Sequence, residues 1–201
     1  MDFTEITRTL EALGYGVKCF ETAADATDYL DDKIHNKTVG FGGSVTLEQM
    51  GLYDRLALNN EVFYHNRLPG GKTKRDVCFD AIGTEVYISS VNGLAETGEI
   101  INIDGNGNRI ASILFGHEEV YFVIGSNKIS KDYETTLWRV QNVAAPKNAQ
   151  RIKAKTPCAV HADKCYNCTG PNRICRAMSV LYGPPLHSNF EIILVQEELG
   201  F

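Results

Sequence analysis

A chain of 201 residues with a formal net charge of -5 and an isoelectric point near 5.5 has room for one α/β domain with a real core and a modest appendage. That charge gives no electrostatic footprint for nucleic acid or an anionic membrane, and no apolar run is long enough to span a bilayer, so neither partner nor membrane insertion is expected. The stretch MDFTEITRTLEALGYG lacks a basic segment followed by an apolar one, which excludes a secretory leader and makes a reducing cytoplasm the expected compartment.

Phe3, Ile6, Leu10 and Leu13 recur at helical spacing and stop at Gly14, which predicts a helix over residues 3–14. Val17 to Phe20 reads as a short strand, and Ala23 to Ile34 as a helix with Ala26, Tyr29, Leu30 and Ile34 on one face. Val39 to Phe41 is a strand running into glycines, and Thr46 to Leu56 is helical. Val86 to Val91 and Val120 to Ile124 are β-branched and aromatic runs typical of strands buried on both faces. Phe190 to Val195 is a further strand expected to join the main sheet. Alternation of this kind predicts a mostly parallel sheet flanked by helices, with ligands at the carboxyl ends of the strands. The expected organisation is an α/β core over 1–150, a cysteine-rich segment over 151–182, and a strand over 183–201 that returns to the core.

Two stretches carry candidate binding chemistry. In Val39 to Thr46 a strand, a glycine turn and a helix start follow one another, so Gly42, Gly43 and Ser44 can bring free N–H groups to an anion; a plain capped turn is an equal reading. In Ser89 to Arg109, a strand end, an acidic turn and a glycine-asparagine loop crowd polar groups together. Asn92, Asn108 and Arg109 are candidate ligand contacts, Arg109 as a bidentate clamp for a carboxylate, and Glu96 and Asp104 are candidate general bases or nucleophiles. Glu96 and Arg109 can equally be structural, and Asp104 before Gly-Asn-Gly-Asn can equally hydrogen-bond its own turn. Basic runs at Lys72, Lys74 and Arg75 and at Lys147, Arg151, Lys153 and Lys155 read as solvated faces.

Four of the six cysteines, Cys158, Cys165, Cys168 and Cys175, follow the spacing C-x6-C-x2-C-x6-C. The central pair can present two thiolates to one centre and the outer pair can close a four-sulfur shell. Structural disulfides are rare in the compartment expected here, so metal is the stronger reading. Tetrahedral zinc and a [4Fe-4S] cluster both suit four thiolates. A zinc ribbon usually has two close pairs and this segment has one, which favours iron–sulfur, with zinc as the alternative.

The strings VGFGGSVTLEQMG, SSVNGLAETGEIINIDGNGNRIASILFG, VIGSNKI, NVAAPKNAQR, CYNCTGPNRIC and IILVQEELGF together resemble the lactate-utilization (LUD) domain family over essentially the whole chain. The resemblance is to shorter, single-domain members that end in a cysteine motif. It implies a fold similar to the ribose-5-phosphate isomerase, glucosamine-6-phosphate deaminase and CoA-transferase group, in which a glycine loop after an early strand commonly holds an anion. The acidic catalytic motif of the isomerases is missing here, so their chemistry does not transfer. The resemblance implies a link to lactate or related organic-acid metabolism and defines no reaction; with the cysteine cluster it makes a redox or electron-transfer accessory the first expectation, with a small anionic metabolite as ligand and a redox partner protein. The alternative is a non-redox enzyme or ligand-binding protein in which the metal is a staple.

Overall fold

The computed structural model describes residues 1–201. Helix α1 (Thr4–Ala12), strand β1 (Gly16–Phe20) and helix α2 (Ala23–Lys33) come first, α2 being started by Thr22, whose hydroxyl accepts from the Asp25 backbone N–H. Strand β2 (Thr38–Phe41) leads into two short helices, α3 (Val45–Gln49) and α4 (Leu52–Leu56). The sequence reads as one helix there. Gly51 at φ 63 divides it, because left-handed backbone cannot continue a right-handed helix.

Strand β3 (Glu61–Tyr64), helix α5 (Lys74–Ile82) and strand β4 (Val86–Ser89) follow, then a hairpin of β5 (Gly93–Ala95) and β6 (Ile100–Asp104). Next come α6 (Asn108–Leu114), β7 (Glu119–Gly125) and the two-residue β8 (Ile129–Ser130). Helices α7 (Tyr133–Arg139) and α8 (Ala145–Arg151) are joined by a π-helical stretch, Val140–Ala144. Helix α9 (Pro157–His161) carries Cys158, and β9 (Ala177–Leu181) and β10 (Asn189–Val195) are the last strands.

The main sheet has six strands in the order β1-β10-β7-β4-β2-β3, all parallel. Its interior strands are covered on both faces, and alternate residues sort into two cores. Val120, Phe122 and Ile124 of β7 pack with Phe3, Ile6 and Leu10 of α1. Tyr121 and Val123 face the other way, toward Leu30 of α2 and Leu52 and Leu56 of α4. This two-sided burial is why these strands read as continuous apolar runs.

Strand β10 does more than join the sheet. It lies between β1 and β7, paired with β7 from Asn189 opposite Glu119 to Val195 opposite Gly125, and Ile192 to Val195 are fully buried. A second sheet, ordered β8-β5-β6-β9, adds Leu94, Ile100, Ile129 and Leu181 to the α1-side core. Its strands are two to five residues long, too short to show a period-two pattern.

From β2 the chain steps outward to β3 on one side, and from β4 it steps through β7 to β10 on the other. The topological switch therefore falls between β2 and β4, and a crevice opens outside their carboxyl ends.

Candidate functional site

A cavity of about 540 Å³ occupies that crevice. Its inner wall is built by residues that leave the strand ends: Gly43 and Ser44 after β2, Ser90 and Asn92 after β4, and Lys128 after β7. His65 follows β3, and Asp104, Asn108 and Arg109 come from the turn between β6 and α6. The outer wall comes from Lys74 at the start of α5, Arg151 of α8, and residues 171–176 of the cysteine segment.

The glycines are required here by close approach. Neither Gly42 nor Gly43 has a positive φ, contrary to what a glycine turn implies. A Cβ on Gly42 would lie 2.5 Å from the Ser89 Oγ, and one on Gly43 would lie 2.9 Å from the His65 ring. Gly42 sits behind the cavity, where its N–H donates to the Ile88 carbonyl at 2.8 Å, so it contributes packing and no surface. Ser44 is the N-cap of α3, its hydroxyl accepting from the Leu47 N–H at 3.4 Å.

Arg109 is bound by the protein itself. Its Nη1 donates to the Ser90 carbonyl (3.2 Å) and Asn102 Oδ1 (3.4 Å), and its Nη2 to Asn92 Oδ1 (2.8 Å) and the Ile103 carbonyl (2.9 Å). With its four terminal N–H bonds engaged, the guanidinium ties three chain segments together and does not present the fork that a carboxylate clamp needs. Asp104 is committed likewise. It accepts from the backbone N–H groups of Asn106 (3.1 Å), Arg109 (2.9 Å) and Ile110 (3.3 Å), holding its own turn and the start of α6. The expected general base is thus a capping residue. Glu96 is corrected outright: it is exposed on the turn between β5 and β6, its N–H donates to the Ser130 carbonyl at 2.8 Å, and it lines no part of the cavity. That turn leads away from the sheet edge, because Gly98 beside it packs on Leu13 and Thr9.

Lys128 was not singled out by the sequence reading. It is 4% exposed, and its ammonium donates to Thr46 Oγ1 (2.9 Å), Ser90 Oγ (2.9 Å) and the Val91 carbonyl (3.2 Å). Burial, reinforced by Arg139 and Arg109, pulls its pKa down to about 7. A lysine three residues beyond a buried strand was the only sequence signal. Burial, with Lys74 as the nearest unfavourable charge, also lowers the pKa of His65. Lys74 and Arg151 belong to the two basic runs read as solvated faces; they face solvent and the cavity together.

Cys158 is buried, Cys168 and Cys175 are half-buried and Cys165 is exposed. No three Cys, His, Asp or Glu side chains converge on a site of single-ion size. Two sulfurs of the segment nonetheless have hydrogen-bond partners of the kind that favour a thiolate. Asn167, at φ 44, donates its backbone N–H to Cys165 Sγ at 3.3 Å, and the Thr156 hydroxyl lies 3.2 Å from Cys158 Sγ. Burial, with the sulfurs of Cys158, Cys165 and Cys168 adding to it, pushes the Cys175 thiol up to about 11, which opposes its thiolate and is a cost that a bound cation would have to offset. Cys175 itself lines the cavity, so the cysteine segment and the pocket, far apart in sequence, share a wall.

A parallel α/β sheet with a cation-lined crevice at its switch point defines the class of the protein. The family model for the LUD domain matches residues 3–195, and the chain belongs to that family. Its fold is similar to the crystal structure of a DUF162 family protein from Deinococcus radiodurans, with a TM-score of 0.53 at 13% sequence identity, over 97% of this chain and 99% of that one. A search of curated proteins finds no match. No helix is long and apolar enough to cross a membrane.

Proposed function

We propose that this LUD-domain protein binds a small anionic metabolite in the crevice beside a four-cysteine centre, and serves as a redox or electron-transfer accessory in lactate or related organic-acid metabolism. Cys158, Cys165, Cys168 and Cys175 would hold the centre, a [4Fe-4S] cluster with zinc as the alternative, and a cluster would supply an electron reservoir. The observation that carries the reading is the shared wall: Cys175 and its neighbours Arg173 and Arg176 line the cavity that takes the ligand. The chain's own residues bind and orient. Lys74, Arg151, Arg173 and Arg176 offer positive charge, while Arg109 and Lys128 fix the inner wall. A redox partner protein would exchange electrons at the exposed Cys165 side of the segment.

One observation favours a second reading, in which the metal is a staple in a non-redox ligand-binding protein. Arg173 is itself braced by the carbonyls of Cys175 (2.7 Å) and Cys168 (3.1 Å), an arrangement that a purely structural centre would also use. Metal and acid-labile sulfide analysis of anaerobically purified protein, with its absorption spectrum, separates the two. Iron and sulfide lost in each Cys→Ala variant support the redox reading, and colourless zinc protein supports the staple. Neither metal, even after anaerobic reconstitution, overturns the four-thiol centre.

A further inference from the structure

The chain is acidic overall, yet its crevice is cationic. Lys74, Arg109, Lys128, Arg151, Arg173 and Arg176 line it against one acidic side chain, Asp104, which is already engaged by backbone N–H groups. Arg109 and Lys128 are engaged as well, so the uncommitted charge stands at the mouth. No hydrogen bond or ion pair ties the Lys74 ammonium to the protein, the nearby Asp80 being taken by Lys72. Arg151 uses only Nε and Nη2, both on Asn148 Oδ1, and Arg176 uses Nη2 on the Pro171 carbonyl. Arg173 donates from Nε and Nη1 to the two cysteine carbonyls and keeps Nη2. Four cations brought from three separate elements to one opening exceed what a single carboxylate neutralises, and they suit a group with adjacent negative charges.

Two of those four cations ride on the cysteine segment, which is stitched to the crevice. The Arg176 N–H donates to the Asp104 carbonyl at 2.9 Å, and the Ile174 carbonyl lies so close to Gly105 that a Cβ there would stand 2.9 Å from it. On the other side the Cys165 N–H donates to Asn142 Oδ1 at 3.1 Å, from the π-helical stretch between α7 and α8. An extra residue in a helical turn re-aims the side chains that follow, and this one lets a single continuous helix touch the cysteine segment with Asn142 and the cavity with Arg151.

We propose that the mouth of the crevice binds a ligand bearing two or more adjacent anionic groups, of the diphosphate class, held by Lys74, Arg151, Arg173 and Arg176, and that Arg173, braced by the Cys168 and Cys175 carbonyls, makes this binding depend on the state of the cysteine centre. The proposal deepens the reading above and rests on it for the second half. Because linkage is reciprocal, the anion protects the centre by the same factor by which the centre favours the anion.

The test is calorimetric titration of anaerobically purified full-length protein, as isolated and after chelation, with inorganic pyrophosphate and with lactate. Pyrophosphate should bind at least tenfold more tightly than lactate, and Lys74→Gln and Arg173→Gln should each weaken it about tenfold, while Lys18→Gln on β1 leaves it unchanged. Chelation should weaken pyrophosphate by a similar factor, and Arg173→Gln should add little in the chelated protein. Lys74→Gln guards against a misfolded Arg173 variant, because Lys74 has no structural bond to lose. Equal affinity for the two anions, or an unchanged Lys74→Gln, overturns the ligand class. Pyrophosphate binding that is indifferent to chelation overturns the dependence on the centre while leaving the class standing. Absence of any metal even after anaerobic reconstitution overturns the centre itself, and the anion arm still reads out separately.

Discussion

The inner wall of the crevice carries two cations, Arg109 and Lys128, and the outer wall four, and their bonding differs. Inside, Arg109 and Lys128 donate seven hydrogen bonds to protein oxygens and have little left to offer a ligand. Outside, Lys74 donates none and Arg173 and Arg176 are only partly engaged. A charge engaged on every side holds the architecture, and a charge with free donors recognises a ligand. Residue type alone does not separate the two roles; the hydrogen-bond partners do.

That contrast can be broken by substitution. Arg109→Ala should have the largest effect on stability, about 3 kcal/mol by urea unfolding, because it removes the four bonds that join Ser90, Asn92, Asn102 and Ile103 at the inner wall and leaves buried Asn102 Oδ1 without a side-chain donor. Wild-type-like stability would show that the guanidinium is dispensable to the fold. Gly43→Val should cost about 1–3 kcal/mol through the clash with the His65 ring, and should also narrow the cavity. Anion binding that survives it intact would move the ligand away from the inner wall.

Lys128 sharpens the comparison through pH. Its pKa in the fold is near 7. The unfolded value is near 10.4, so between the two the unfolded chain holds more protons and stability climbs with pH. Stability is lowest below the folded pKa, where both states are charged. From about pH 7 to about pH 9 the gain from this residue should be about 2 kcal/mol, and Lys128→Met should flatten it. A profile equally steep in the variant would assign the slope to another group. The smallest effect is expected at the mouth: Lys74→Gln and Arg151→Gln should leave stability within about 0.5 kcal/mol, with their consequence confined to anion affinity.

The sheet was legible because strands buried on both faces must be apolar throughout, as Val120 to Ile124 and Phe190 to Val195 are. What could not be read was that β10 lies inside the sheet, since pairing order leaves no local mark on a strand. The small second sheet escaped for want of length. At the site, the sequence pointed to the right strand ends, and Gly43, Ser44, Asn92, Asp104, Asn108 and Arg109 do meet at one cavity. Their roles were not legible, because the partners of Arg109 lie up to 19 residues away and Asp104 turns onto its own loop. Glu96 was misplaced by assuming that an acidic turn next to a strand end faces the ligand. The cysteines were visible as a group, whereas their place against the cavity depends on long-range contacts, among them Arg176 N–H to the Asp104 carbonyl and Cys165 N–H to Asn142 Oδ1.

The central claim is that a cysteine-held centre and an anion share one wall. Its most direct test is a crystal structure of anaerobically prepared protein soaked in pyrophosphate, with anomalous data collected at the iron and zinc edges. The expected result is an anomalous peak among Cys158, Cys165, Cys168 and Cys175, with pyrophosphate density between Arg173 and Lys74. Cysteines paired as disulfides with no anomalous peak, or an anion bound away from the crevice with the mouth empty, would contradict it.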